Sequence, residues 1–286
     1  MAFASRKAFA EDAETMNAMI GGGSALDPYI MPELPGYEQY VFRDYRSRTP
    51  VLPRLTAGES TGVILYFGDS VSSNTTNSAY SPTQAKNHQL NVYNGGGYVT
   101  ENPMLGCNLN TAIPASGCVA ARTADKIITD GTYTRVISVP FGVGGSLLAD
   151  YANVNTAGGR FLPVKRRLDA AGLTATQIFC ILGANDNPNG TSEASATASL
   201  QAMIALIRAA GLTAPLFIAK HSTFSNTTRS QVTAAQAAVV DNPNGIYAGP
   251  DLDAISSGNR FDGTHHTSGG ETIHANANAA LVAAHP

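Results

Sequence analysis

From residue 63 onward the chain sets short, mainly apolar runs between longer stretches with helical spacing. The runs cover 63–67, 135–139, 178–182 and 216–219. None of them alternates apolar with polar residues, so they predict parallel strands buried on both faces rather than half-exposed ones. Between and after them, 119–128, 161–171, 192–210, 230–240 and 271–284 read as helices. In the third helix Leu200, Met203, Ile204 and Ile207 fall on one face, and Gly211 supplies a C-terminal stop. Strands alternating with helices predict an α/β fold, a three-layer α/β/α arrangement around a central parallel sheet.

The first 59 residues follow another pattern. Phe9, Ala13, Met16 and Ile20 form a stripe at helical spacing, and 21–59 is rich in Gly and Pro. This divides the chain into an N-terminal extension, 1–59, and a main domain, 60–286. The stripe suits packing on that domain or a contact between copies in an oligomer. A second irregular stretch, 74–117, contains Asn94-Gly95-Gly96-Gly97 and leaves the end of the first strand. Ligands of open α/β sheets bind beyond the carboxyl ends of strands, so this stretch is expected to wall or cover a site.

Composition narrows the choice of partners. Charged residues make up only 14% of the 286 and the net charge is −3. Lys165-Arg166-Arg167 reads as the polar face of a helix rather than a phosphate-binding patch, so no nucleic-acid partner is expected. No apolar run reaches the roughly 20 residues of a membrane span. Glu11, Asp12 and Glu14 stand where a signal peptide would be apolar, so no export signal is visible; extracellular or cell-surface action stays open. Cys180 lies in an apolar run and reads as an inert core thiol, whereas Cys107 and Cys118 bracket a loop as either a disulfide or two thiols.

The chemistry gathers where strands end. The first run leads into Gly68-Asp69-Ser70, the second into Gly142-Val143-Gly144-Gly145-Ser146, and the third into Gly183-Ala184-Asn185-Asp186. Asp262-Gly263-Thr264-His265-His266 precedes the last helix. Each alone suits a turn or helix cap. Together they supply a hydroxyl, an imidazole near neutrality to take its proton, and a carboxylate three residues earlier to hold that imidazole. The Asn185 amide and the backbone N–H groups of Gly145 and Ser70 are the donor types that a developing oxyanion needs. His221, after the fourth run, faces the site edge or is a structural histidine. His266 reads as a pocket-wall or surface residue, and Asp186 as support for the loop of Asn185. His265, His266 and His274 match no zinc spacing, so neither metal nor cofactor is expected.

These four blocks, in this order, resemble the SGNH (GDSL-like) hydrolase superfamily from about residue 63 to the C-terminus. The resemblance implies a flavodoxin-like sheet and ester hydrolysis, with Ser70 as nucleophile, His265 as base and Asp262 as its orienter. It also implies Asn185 and Gly145 as oxyanion donors, with Gly144 as the alternative glycine. In the second block Pro140 stands where the family often has Asn. The stretch Gly144 to Tyr151, with Gly249-Pro250-Asp251-Leu252-Asp253 and Arg260-Phe261-Asp262-Gly263-Thr264-His265, is similar to the carbohydrate O-acetylesterase branch. That branch often has Gln where Asp69 stands and Trp where Tyr151 stands. The implied substrate is a small ester, foremost an O-acetyl group on a carbohydrate. A lipase- or thioesterase-like hydrolase and a non-catalytic carbohydrate-binding module are the alternatives.

Overall fold

Each residue from Val63 to Phe67 is fully buried, and this run sits in the middle of an eight-stranded sheet. The computed structural model describes residues 41–109 and 116–286, so the apolar stripe from Phe9 to Ile20 lies outside the described residues. The strands are β1 (Pro50–Val51), β2 (Thr61–Gly68), β3 (Asn87–Leu90), β4 (Gly97–Val99), β5 (Arg135–Pro140), β6 (Gln177–Ile181), β7 (Leu216–Lys220) and β8 (Ile246–Asp251). Their order is β1-β4-β3-β5-β2-β6-β7-β8. All neighbours from β3 to β8 run parallel, while β4 pairs antiparallel with β3 and β1.

Within it, β5-β2-β6-β7-β8 is the flavodoxin order, second-first-third-fourth-fifth. The winding therefore reverses between β2 and β6, and a crevice opens beyond their carboxyl ends. The chain has the α/β, three-layer architecture that the apolar runs predict.

The helices are α1 (Val119–Thr129), α2 (Leu148–Tyr151), α3 (Phe161–Ala170), α4 (Glu193–Ala209), α5 (Ser230–Ala238) and α6 (Ser268–Ala284). Successive residues of β2 point to opposite sides. Val63, Leu65 and Phe67 meet helices α2 to α5, and Ile64 and Tyr66 meet α1 and α6. Phe67 contacts the rings of Phe141, Tyr151 and Phe161 at 5.6, 5.1 and 5.1 Å. Burying a side chain of this size contributes about 1.5–3 kcal/mol, so this cluster fixes the end of β2 firmly.

The sheet begins earlier than residue 60. β1 pairs with β4, and the Arg135 guanidinium donates to the carbonyls of Leu52 and Arg54 at 2.8 and 2.7 Å. Likewise 74–117 is not wholly loop, since β3 and β4 extend the sheet through it.

Candidate active site

Ser70 follows β2 in a turn that only glycine can enter. Gly68 has φ +139°, and a Cβ there would lie 1.8 Å from the Ile181 carbonyl oxygen. Asp69 caps the next short turn, Ser70–Ser72, its Oδ1 accepting from the Val71 amide at 3.0 Å. The Tyr151 hydroxyl donates to the Gly68 carbonyl at 3.0 Å and accepts from its amide at 3.3 Å. Tyr151 is fully buried, so at the position where the resembling branch often has Trp this chain uses a phenol to brace the strand end.

The imidazole arrives from a tight turn before α6. Asp262 Oδ1 accepts from the amides of Thr264 and His265 at 2.9 and 2.8 Å, which folds the segment so that both side chains face the same way. Asp262 Oδ2 is 2.6 Å from His265 Nδ1, and His265 Nε2 is 2.8 Å from Ser70 Oγ. A ring proton on Nδ1, facing the carboxylate, leaves Nε2 to accept from the serine hydroxyl. Burial disfavours the charged Asp262, but the hydrogen bonds and charge of His265 outweigh it and hold the carboxyl at about 2. Thr267 caps α6 through the Gly270 amide, fixing where the turn ends.

The glycine turn after β5 closes the other side. A Cβ on Gly144 would lie 3.7 Å from the Ser70 Cβ and 3.7 Å from Asn108 Nδ2, so this glycine sits against the serine. Gly145 follows at φ +79°. Among the described residues, the amides of Ser70, Gly144 and Gly145 donate to no protein acceptor. Asn185 Nδ2 donates to the Ser146 carbonyl at 3.2 Å, which brings the third block to the same turn. Asp186 ties that loop to α2, accepting from the Leu148 amide at 3.0 Å and from Thr191 Oγ1 at 2.9 Å. Its burial raises its carboxyl above the usual range.

Ser70, Asp262 and His265 thus meet in one hydrogen-bonded line, and Asn185 with the Gly144–Gly145 turn stands on the same sheet edge. His266 differs from its expected place. It is 3% exposed and packs its ring edge-on against His274 at 5.5 Å, because successive residues of the turn point to opposite sides and only His265 faces outward. Cys107 and Cys118 are buried free thiols, and burial with the neighbouring Cys118 pushes the Cys107 thiol well up. Two groups had no sequence signal: Asn108, on a loop that reaches the Ser70 wall, and Asp69 as the partner of His221.

No family model matches the chain, and no curated protein matches it. Solved structures do. One from Arabidopsis thaliana, 11% identical, aligns over 79% of this chain and 98% of its own with a TM-score of 0.62. A carbohydrate acetylesterase from Xanthomonas citri, 14% identical, aligns over 78% of this chain and 56% of its own at 0.53. A protein named NanS, 13% identical, aligns over 80% and 98% at 0.51. The fold that fits is that of the SGNH hydrolases.

Proposed function

We propose that this chain is a serine esterase acting on small acyl esters, foremost O-acetyl groups on a carbohydrate. The observation that carries the reading is the Asp262–His265–Ser70 line, with contacts of 2.6 and 2.8 Å. Ser70 Oγ attacks the ester carbonyl while His265 Nε2 takes its proton. Asp262 holds the ring tautomer and stabilises the imidazolium that forms. The oxyanion meets the amides of Ser70 and of Gly144 or Gly145, together with Asn185 Nδ2. These donors stabilise charge that exists only during attack. The imidazolium then protonates the leaving alcohol, and a water activated by His265 releases the acyl group from Ser70.

The short-acyl preference is supported by what adjoins the serine. A Cβ at Gly144 would lie 3.7 Å from both the Ser70 Cβ and Asn108 Nδ2, so a residue without a side chain and a polar amide stand on this side of the serine. Acetylated sugars as the alcohol part rest on the resemblance of the glycine and C-terminal blocks to carbohydrate acetylesterases, an activity that the Xanthomonas citri protein bears in name.

The test is a panel of acetylated glycans and nitrophenyl esters of increasing chain length, with wild type and Ser70→Ala. Wild type is expected to favour acetyl esters and Ser70→Ala to show no turnover while keeping its thermal melt. Turnover by Ser70→Ala overturns the nucleophile, and a preference for long acyl chains overturns the substrate class.

A further inference from the structure

We propose that His221 is a positioning residue for this site, fixing the Asp69 carboxylate from which two of the donor-bearing loops, those of Ser70 and Asn185, hang. The inference rests on the esterase reading above.

Asp69 is fully buried, and each oxygen holds a loop. Oδ1 accepts from the Val71 amide at 3.0 Å, and Oδ2 from the amides of Gly183 and Ala184 at 3.2 and 3.1 Å. Ser70 lies between Asp69 and Val71, and Asn185 follows Ala184. One carboxylate therefore sets the relative position of the serine amide and the asparagine side chain across the point where the sheet reverses.

What fixes the carboxylate is His221, the residue after β7. Its ring is fully buried, with Nε2 3.4 Å from Oδ1 and 3.3 Å from Oδ2 of Asp69. The imidazole is itself tethered. The His221 amide donates to Gln236 Oε1 at 3.0 Å, and Gln236 Nε2 donates to the carbonyls of His221 and Leu182, each at 2.9 Å. Asp253 holds the following residues, accepting from both the amides and the hydroxyls of Ser222 and Thr223. A rigid donor on a rigid strand end thus stops the Asp69 carboxylate from rotating away from its three amides.

A stability role explains this arrangement poorly. A buried hydrogen-bonded pair generally stabilises little more than apolar groups of the same shape in its place. What an apolar pair cannot supply is direction, and direction is what two loops without a hydrogen-bond ladder require. His221 is one step removed from the reacting atoms, because it acts through Asp69.

The experiment compares wild type, His221→Leu, His221→Gln and Ser70→Ala on a short acetyl ester, with thermal melts. Gln retains an N–H donor near the place of Nε2, whereas Leu retains none. Since a misplacement of about 1 Å can cost about 10²-fold, kcat of His221→Leu is expected to fall about 10- to 100-fold with KM within about threefold. His221→Gln is expected to recover most of that loss, and phosphonate labelling of Ser70 to slow in step with kcat. A folded His221→Leu with wild-type kcat and only a lower melting temperature overturns the proposal. Should the Leu variant not fold, His221→Asn, too short to reach Asp69, is read by the same split. Turnover by Ser70→Ala would sink the esterase reading itself, whatever the His221 variants do.

Discussion

Replacing His274 with Phe should flatten the loss of stability on acidification. His274 is fully buried on α6, and neither ring nitrogen has a hydrogen-bond partner among the described residues. Burial, reinforced by the charges of His221 and Arg260, lowers it from 6.5 to about 3. His266 beside it is driven well below 6.5 by burial and by His274 and Arg260. Below pH 6.5 these two imidazoles therefore take up protons in the unfolded chain that they refuse in the folded one. Stability present above that pH is lost as pH falls, each group contributing about 1.4 kcal/mol per unit. Glu271 opposes this over part of the range. Burial raises it to about 6 against the pull of Arg122 and Thr76, so between about 4.5 and 6 the folded state holds one extra proton. His88, also lowered by burial and by Arg135, adds to the loss, and buried Asp186 offsets it further toward acid. His274→Phe removes one imidazole, so from pH 6.5 to 4.5, with the unfolded ring already half protonated at the start, the variant should lose about 2.3 kcal/mol less than wild type. Urea unfolding at pH 7.5, 6.5, 5.5 and 4.5 measures this. Any packing cost of the Phe is common to all four and cancels in the difference, as do Glu271 and Asp186. Parallel curves for the two proteins would refute the reasoning, because His274 would then titrate alike in both states.

Two shorter predictions concern the site. Asn185→Ala is expected to lower kcat by about 10²–10³ with KM little changed, the usual loss for one oxyanion donor; a melt checks the fold, and near wild-type kcat in a folded variant removes Asn185 from the site. Gly68→Ala should cost about 3 kcal/mol or more, from its conformation and the Ile181 carbonyl 1.8 Å away. Gly258→Ala, whose added carbon meets nothing within 4 Å, is the matched control, expected within about 0.5 kcal/mol of wild type in denaturant titration.

The strands that the sequence predicts are those buried on both faces. β2, β5, β6 and β7 are runs of apolar residues because helices cover them above and below. β3 escapes that reading because its residues, Asn87-His88-Gln89-Leu90, are polar yet enclosed. Asn87 Nδ2 donates to the Ala121 carbonyl and to Asp125, and Gln89 Oε1 accepts from the Leu105 amide, so these side chains tie the strand to α1 and to the loop at Leu105 instead of filling a core. β8 escapes for the opposite reason. It is an edge strand, half exposed, with Gly249 and Pro250 near its end. The site was legible where chemistry is local in sequence. Asp262 and His265 are three residues apart, and Gly68-Asp69-Ser70 closes a strand. The Asp69–His221 contact joins residues 152 apart and has no local signal.

Buried polar groups occur throughout the molecule, and one set of them lies close to the site. Asp69, His221, Arg260, His266, His274 and Glu271 are all buried, and they lie beneath the loops at the carboxyl edge of the sheet. Apolar contacts have no preferred direction, so they can hold strands that a ladder already registers but cannot aim one loop at another. Four loops have to meet at Ser70 within a few tenths of an ångström, and hydrogen bonds to buried groups are what fixes such angles. The same arrangement explains the acid sensitivity derived above. Groups kept neutral or paired for geometry are those whose protonation differs most between the folded and unfolded chain. An edge specified in this way is therefore expected to fail first on acidification, while the central strands, held by Phe67, Phe141 and Phe161, stay in place. Hydrogen exchange followed down the pH scale would show protection lost at residues 262–274 before 63–67; the reverse order would mean that the polar cluster does not govern the edge.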